Sequence, residues 1–563
     1  MRARSVVAVV VLAVVASATV AAATVAPSPN AVRTDQPGTG GGAGSVDPTS
    51  TRVAAPPDPS SDVLGWENGR WYNESIVVDQ SDGLNETERD TVVARSMARI
   101  EFIRRLEFEQ TVPVTVISRA TYREQLAGGF ANVSTSVALH QNVKFEALFM
   151  IGENESALAS QQSTRSASVL GFYSPSTNQI IIVSENTTSP KIDEITLSQE
   201  LFHALQDQKF DIFGQRTPTR EEHNALDGII EGDGNYVDYL YEQRCENAWS
   251  CLIPNASSGG GGDPSQIHFG ILYLQFLPYS DGPPFVRQIR EAGGWEAVNA
   301  IYENPPASTE QLIHPDKYGV DPPTEVTVED TSTERWTIPE TGGVRYASFG
   351  EAGLFTMLLY PSITAESTDV IISLRDFYNF GEDGELQAID PLNYRSRYSA
   401  GWDGDRLYPY VTEDSARTNE TGYVWKSVWD SESDAAEFIE GYTQLLAFHG
   451  GEQQEPGLWV IPDGPYADAF YIDQRGDTVL IVNAPTVPEL AEIRPTADIP
   501  QVQTTTATTM GTVDSTTSTS TQATTMANGT TTSTSTAFGP GFGPVVALLV
   551  AVVTVLGLRA IKE

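Results

Sequence analysis

A glutamine, a glutamate and a histidine stand at helical spacing, and a second glutamate follows 28 residues after the histidine. Gln199, Glu200 and His203 fall within Thr196-Leu-Ser-Gln-Glu-Leu-Phe-His-Ala-Leu-Gln-Asp-Gln208, and Glu231 falls within Ile230-Glu-Gly-Asp-Gly234. Residues four apart on a helix face the same side, so Gln199 and His203 share a face with Glu200 beside them. Imidazole and carboxylate are groups that ligate metals and move protons. The competing reading is packing, because His203 stands among Leu201, Phe202 and Leu205 as a core histidine would.

Two helices must position these residues, one from about 196 to 208 and one over roughly 221–241. Upstream, Val92, Val93, Met97, Ile100, Ile103 and Leu106 recur every three or four residues and predict a helix over 86–109. Short strands are expected next, at 112–117 and as a hairpin of 169–173 with 179–184 around Ser174-Pro-Ser-Thr-Asn178. Further on, Phe438, Ile439, Tyr442 and Leu446 predict a helix over 434–446 that completes a second core.

The two motifs resemble those of the gluzincin metallopeptidases, especially secreted members whose second helix carries Glu-Gly-Asp-Ala. The resemblance covers about 80 residues, from the hairpin to Tyr241. It implies an α+β, zincin-like lobe in which an extended peptide pairs with an edge strand before the motif helix. It also implies Glu200 as general base, and His203 and Glu231 as ligands of a catalytic zinc. Gln199 departs from the pattern, standing where the first histidine belongs, and its neutral amide oxygen is a much poorer zinc ligand than imidazole. The expectation is a degenerate site that binds a peptide or a surface protein. An active zinc-dependent hydrolase and an architectural protein of the cell envelope are the alternatives.

His223 lies eight residues before Glu231, about 12 Å along a helix, too far to share one ion. His268 and His314 are free in sequence to fold over the site. In the second half, Gly294-Trp295-Glu296, Pro305 to Gln311, Ile313-His314-Pro315, Gly350 to Gly353 and Gly401 to Arg406 resemble segments of the same secreted family, with tight packing as the alternative. Asp403 to Asp405 reads as a turn or as a calcium loop, without the spaced ligands of an EF-hand. No Gly-x-Ser-x-Gly elbow, phosphate-binding loop or dinucleotide fingerprint appears.

Composition describes the solvent more than a ligand. The chain has 74 acidic and 34 basic residues, only six of them Lys, and a formal net charge of −40. Concentrated salt, with a Debye length near 3 Å at 1 M, screens such self-repulsion, which suits a halophile. Nucleic acid is excluded as a partner, since binding it needs clustered Lys and Arg. Cys245 and Cys251 predict a local disulfide in an exported chain. Sequons at Asn73, Asn85, Asn132, Asn154, Asn186, Asn255, Asn419 and Asn528 are candidates for glycosylation.

The ends specify the address. Residues 1–23, with Arg2, Arg4, a short apolar run and small residues after it, have the layout of a signal peptide. Residues 24–62 read as a disordered linker, 63–262 as the zincin-like lobe, 263–501 as a mixed second lobe and 502–537 as a Thr/Ser-rich stalk. Residues 538–563 hold an apolar run followed by Arg559 and Lys562. Here Pro540, Gly541 and Phe542 resemble the C-terminal sorting signals of halophilic archaea. That resemblance implies removal of the tail by an archaeosortase-type transpeptidase and replacement by a lipid, with an ordinary transmembrane helix as the alternative. The expected place is the outer cell surface, in the S-layer environment.

Overall fold

Side-chain caps set where most of the helices begin. A computed structural model of the chain describes residues 57–253, 263–365, 370–382 and 384–500. The signal peptide, most of the linker, the stalk, the sorting segment with Pro540, Gly541 and Phe542, and the sequons Asn255 and Asn528 lie outside the described residues. After the two-stranded ribbon β1 (Trp66–Glu67) and β2 (Arg70–Trp71), Asn85 and Glu88 form a reciprocal capping box that starts α1 (Glu86–Arg104). This helix stops five residues short of the expected end. Arg105 takes a left-handed conformation, φ 64°, and closes it with an N–H bond to the Glu101 carbonyl.

Strand β3 (Val114–Ile117) follows, and then, where only short strands are expected, three helices: α2 (Arg119–Phe130), α3 (Thr135–Ala147) and α4 (Ala157–Ser168). Each is capped by a serine, Ser118, Ser134 and Ser156, whose hydroxyl accepts a first-turn N–H. The hairpin forms as β4 (Gly171–Ser174) and β5 (Gln179–Val183). Strand β5 lies between β3, which is parallel to it, and β4, which is antiparallel, so β4 is the edge of a three-stranded sheet.

Helix α5 (Glu194–Phe210) carries Gln199, Glu200 and His203. Its cap is Asp193, whose Oδ1 accepts from the N–H groups of Ile195 and Thr196. Helix α6 (Arg220–Asn247) opens on a capping box of Thr219 and Glu222 and carries Glu231. It runs on to the Cys245–Cys251 disulfide, the pairing expected from the sequence, which holds the chain that follows beside the start of α5.

The second half begins with α7 (Phe269–Ser280) and α8 (Gly282–Ile301), continues through α9 (Gly350–Thr364), and ends on an antiparallel sheet. Strands β6 (Trp402–Val411), β7 (Thr421–Trp429), β8 (Glu452–Glu455), β9 (Leu458–Val460), β10 (Ala469–Arg475) and β11 (Thr478–Ala484) pair in the order β6-β7-β11-β10-β9-β8. Helix α10 (Glu432–Phe448) packs Phe438 and Tyr442 on Trp425, and α11 (Val487–Ile493) covers the other face. The described chain is therefore mixed α+β. Its largest cluster of buried apolar side chains runs from Val143 to Ile481, so residues on both sides of position 263 share one core. Among the described residues no helix is long and apolar enough to cross a membrane.

Candidate functional site

Helices α5 and α6 pack side by side; Gly232 lets α6 also approach the start of α8, and Gly228 makes room for Leu312. A Cβ on Gly232 would lie 2.6 Å from the Gly282 carbonyl carbon. Gly234 leaves room for an imidazole instead, since a Cβ there would stand 3.3 Å from His203 Cε1. The motif glycines are spacing devices: they let Glu231 and His203 face each other across the helix pair.

Three of the four candidate residues, Gln199, His203 and Glu231, meet. His203 Nε2 and Gln199 Nε2 each lie 3.4 Å from the same oxygen, Glu231 Oε2. The second Glu231 oxygen accepts from the Tyr279 hydroxyl of α7 at 2.8 Å. On the far side of the ring, His203 Nδ1 donates to Gln206 Oε1 at 2.7 Å, and Nε2 is turned to Glu231. Gln206 is itself fixed, donating to the Ile230 carbonyl at 2.8 Å and to the Tyr302 hydroxyl at 2.6 Å. Tyr302 donates in turn to Asp233, which also faces Arg104 of α1.

Glu200 points to the sheet. Its Oε2 accepts the backbone N–H of Tyr173 on edge strand β4 at 2.9 Å, and its Oε1 is buried without a hydrogen-bond partner. Burial pushes this carboxyl up to about 7, with the charge of Glu231 adding to the rise and that of His203 opposing it. Burial works against a charged His203, yet the Glu231 carboxylate outweighs it and holds the imidazole up to about 10. Gln199, Glu200, His203 and Glu231 are all at least nine-tenths buried.

The resemblance of the two motifs to gluzincins implies zinc, and the donor set fits a metal in part. Two ligands on a tetrahedral zinc with bonds of about 2.0–2.1 Å stand about 3.3 Å apart, close to the 3.4 Å edges observed. The amide of Gln199 presents its oxygen in place of its nitrogen by a half-turn. Gln206 and Tyr279 hold the outer atoms of His203 and Glu231, as outer partners of metal ligands do. Only one imidazole is present, however, and the amide is a weak donor.

The other three candidate histidines are engaged elsewhere. His268 caps α7 through Nδ1 and pairs by Nε2 with the Met150 carbonyl; His314 faces Glu351 at 3.1 Å; His223 faces Asp227 at 3.1 Å. Asp405 is a buried structural acceptor for Trp402, Trp425 and Ser348, and Asp403 binds Thr324. Trp295 is stacked by Arg104 and Arg290, at 4.5 and 4.3 Å. These second-half motifs therefore pack. Tyr173, Gln206, Tyr279 and Tyr302 escaped sequence reasoning, and Gln206 alone carried a signal, three residues after His203 on the same helix.

Of the described sequons, Asn85, Asn132, Asn154 and Asn186 are exposed. Asn73 is half-buried, and Asn419, also half-buried, donates its side-chain nitrogen to the Glu153 carbonyl at 2.6 Å.

Compared with known proteins, the chain matches one family model, described as a domain of unknown function (DUF8575), over residues 336–494. That span holds the six-stranded sheet with α10 and α11 and excludes the α5–α6 site. No curated protein and no solved structure matches the chain.

Proposed function

We propose that this chain is an exported cell-surface protein whose first half retains a gluzincin-like site and uses it to bind rather than to cut. The observation that carries the reading is the meeting of Gln199, His203 and Glu231, two side-chain nitrogens 3.4 Å from one carboxylate oxygen on adjacent helices. With an amide where the first imidazole belongs, the set lacks the donors of a dependable catalytic zinc. Glu200, in the place of the base, is tied to β4 rather than facing open solvent. The ligand proposed is an extended peptide or the segment of a surface protein, whose pairing with the β4 edge requires Glu200 to release the Tyr173 N–H. The signal peptide, acidic composition, stalk and Pro540-Gly541-Phe542 support display outside a halophilic archaeon, anchored by a lipid after transpeptidase processing or by the C-terminal helix. The Cys245–Cys251 bond agrees with an oxidising exterior.

A working zinc hydrolase is the second reading. It is favoured by the buried, unpartnered Glu200 Oε1 and by the outer contacts of His203 and Glu231. Zinc bound there would polarise a carbonyl or activate water; Glu200 would hold the proton.

The deciding experiment is elemental analysis of the ectodomain folded in high salt with zinc, followed by a peptidase assay of the wild type and Glu200→Gln. The expected outcome is substoichiometric zinc and no cleavage by either protein. Near-stoichiometric zinc, lost in His203→Ala, with cleavage lost in Glu200→Gln, would replace the binding reading by the hydrolase.

A further inference from the structure

Three carboxylates from distant parts of the chain meet where the first half abuts the six-stranded sheet. Glu146 is the penultimate residue of α3, Glu153 lies in the loop that follows, and Asp468 immediately precedes β10. One oxygen of each lies within 4.8 Å of the others. Glu146 and Asp468 are 6% and 3% exposed. Their neighbours are neutral: Thr421 Oγ1 donates to Glu146 Oε2 at 3.1 Å, and Asn483 Nδ2 donates to Asp468 Oδ2 at 2.9 Å.

Two observations separate this cluster from ordinary surface acid. Asn483, 1% exposed and turned onto Asp468, leaves its own side-chain oxygen without a hydrogen-bond partner, and so does Asp468 Oδ1. Buried polar atoms left unpaired are uncommon and destabilising. Secondly, no ion pair observed among the described residues includes any of the three acids. The other acidic group of this kind, Asp321, Asp403 and Asp430, has its cation built in: Lys317 Nζ lies 2.9 Å from Asp321 and 2.6 Å from Asp430.

We propose that Glu146, Glu153 and Asp468 bind a hard divalent cation of the calcium type, with the Asn483 side-chain oxygen as a fourth ligand. All four donors are oxygens, which is what calcium selects, at about 2.3–2.6 Å and in adaptable geometry. A half-turn of the Asn483 amide sets its oxygen where the nitrogen is now, 2.9 Å from Asp468 Oδ2. Two oxygens on one such ion stand about that far apart.

The surrounding backbone is already in place. Glu153 N donates to the Pro465 carbonyl at 3.1 Å, and a Cβ on Gly152 would lie 2.6 Å from Pro465 Cβ, so the two loops touch before any ion enters. The ion fastens the end of α3 to the sheet that the DUF8575 match covers. The rival arrangement is a proton shared between Glu146 and Asp468.

The test is a calcium titration of the chelator-stripped full chain in high salt, read as thermal midpoint and as bound calcium. Calcium is expected to raise the midpoint and chelator to reverse the rise. Glu153→Gln, at a half-buried position that does not threaten folding, should weaken binding at least tenfold, and Asp468→Asn should abolish it. Asp430→Asn should leave it unchanged. No calcium-dependent shift in the wild type, or an equal shift in Glu153→Gln and Asp468→Asn, would overturn the proposal and leave the shared proton or weak surface binding.

Discussion

At the scale of single residues, Gln199 decides the chemistry of the α5–α6 site. Its amide nitrogen and the His203 imidazole compete for one Glu231 oxygen, which leaves an ion pair where a metal would need a further strong donor. Gln199→His is expected to raise zinc affinity in competition with a chromogenic chelator, because imidazole nitrogen outranks amide oxygen for zinc. In that background Gln206→Ala should weaken zinc about 10–100-fold, since it frees the His203 ring that Gln206 orients. Unchanged zinc uptake in Gln199→His would mean that the three side chains do not converge as described.

At the scale of elements, the motif helix is anchored at its first residue. Glu194 receives Arg95 at 2.8 Å and Arg99 at 2.6 Å from α1, the Tyr241 hydroxyl at 2.7 Å from α6, and the Leu252 N–H at 2.8 Å from the chain beyond the disulfide. Both guanidinium groups and the carboxylate are almost fully buried. Breaking such a pair on one side leaves an uncompensated charge, so Glu194→Gln is expected to lower unfolding free energy by about 3–5 kcal/mol in a urea titration. A loss below about 1 kcal/mol would mean that water reaches Arg95 and Arg99. The same bonds explain why α5 starts at Glu194 rather than near Thr196: Asp193 caps it, and Glu194 is the tie to α1.

At the scale of the whole molecule, high acidity outside coexists with buried acids inside. Glu101 lies in the α1 core and accepts from the N–H groups of Gly65 and Phe108, both at 2.8 Å. Burial pushes Glu101 up to about 9, and burial with the nearby Asp62 charge pushes Glu67 up to about 7, from an ordinary value of 4.5. A folded pKa above the unfolded one means that the native state holds more protons between them. The contribution is therefore fully present below about pH 4.5 and is lost as pH rises through about 7 and then about 9. The slope is at most about 1.4 kcal/mol per pH unit for each group. Chemical denaturation from pH 5 to 8 should show wild-type stability falling more steeply than that of Glu101→Gln. Parallel profiles would mean that Glu101 titrates alike in the folded and unfolded chain.

The sequence by itself determined the two site helices, the hairpin before them, the disulfide and the shared face of Gln199 and His203 on α5. All of these are written in local periodicity or in short motifs, where helical geometry fixes which residues share a face. Three serine-capped helices, α2 to α4, are marked in the sequence only by Ser118, Ser134 and Ser156, because their apolar patterns are weak. Only the tertiary structure decided that Tyr279, Tyr302 and the edge strand bury the site, that His268 and His314 serve elsewhere, and that Glu146, Glu153 and Asp468 meet. Those contacts join residues tens to hundreds of positions apart, and no local pattern encodes which distant side chain will fill a partner's last hydrogen bond. The closure of one core from Val143 to Ile481 does that.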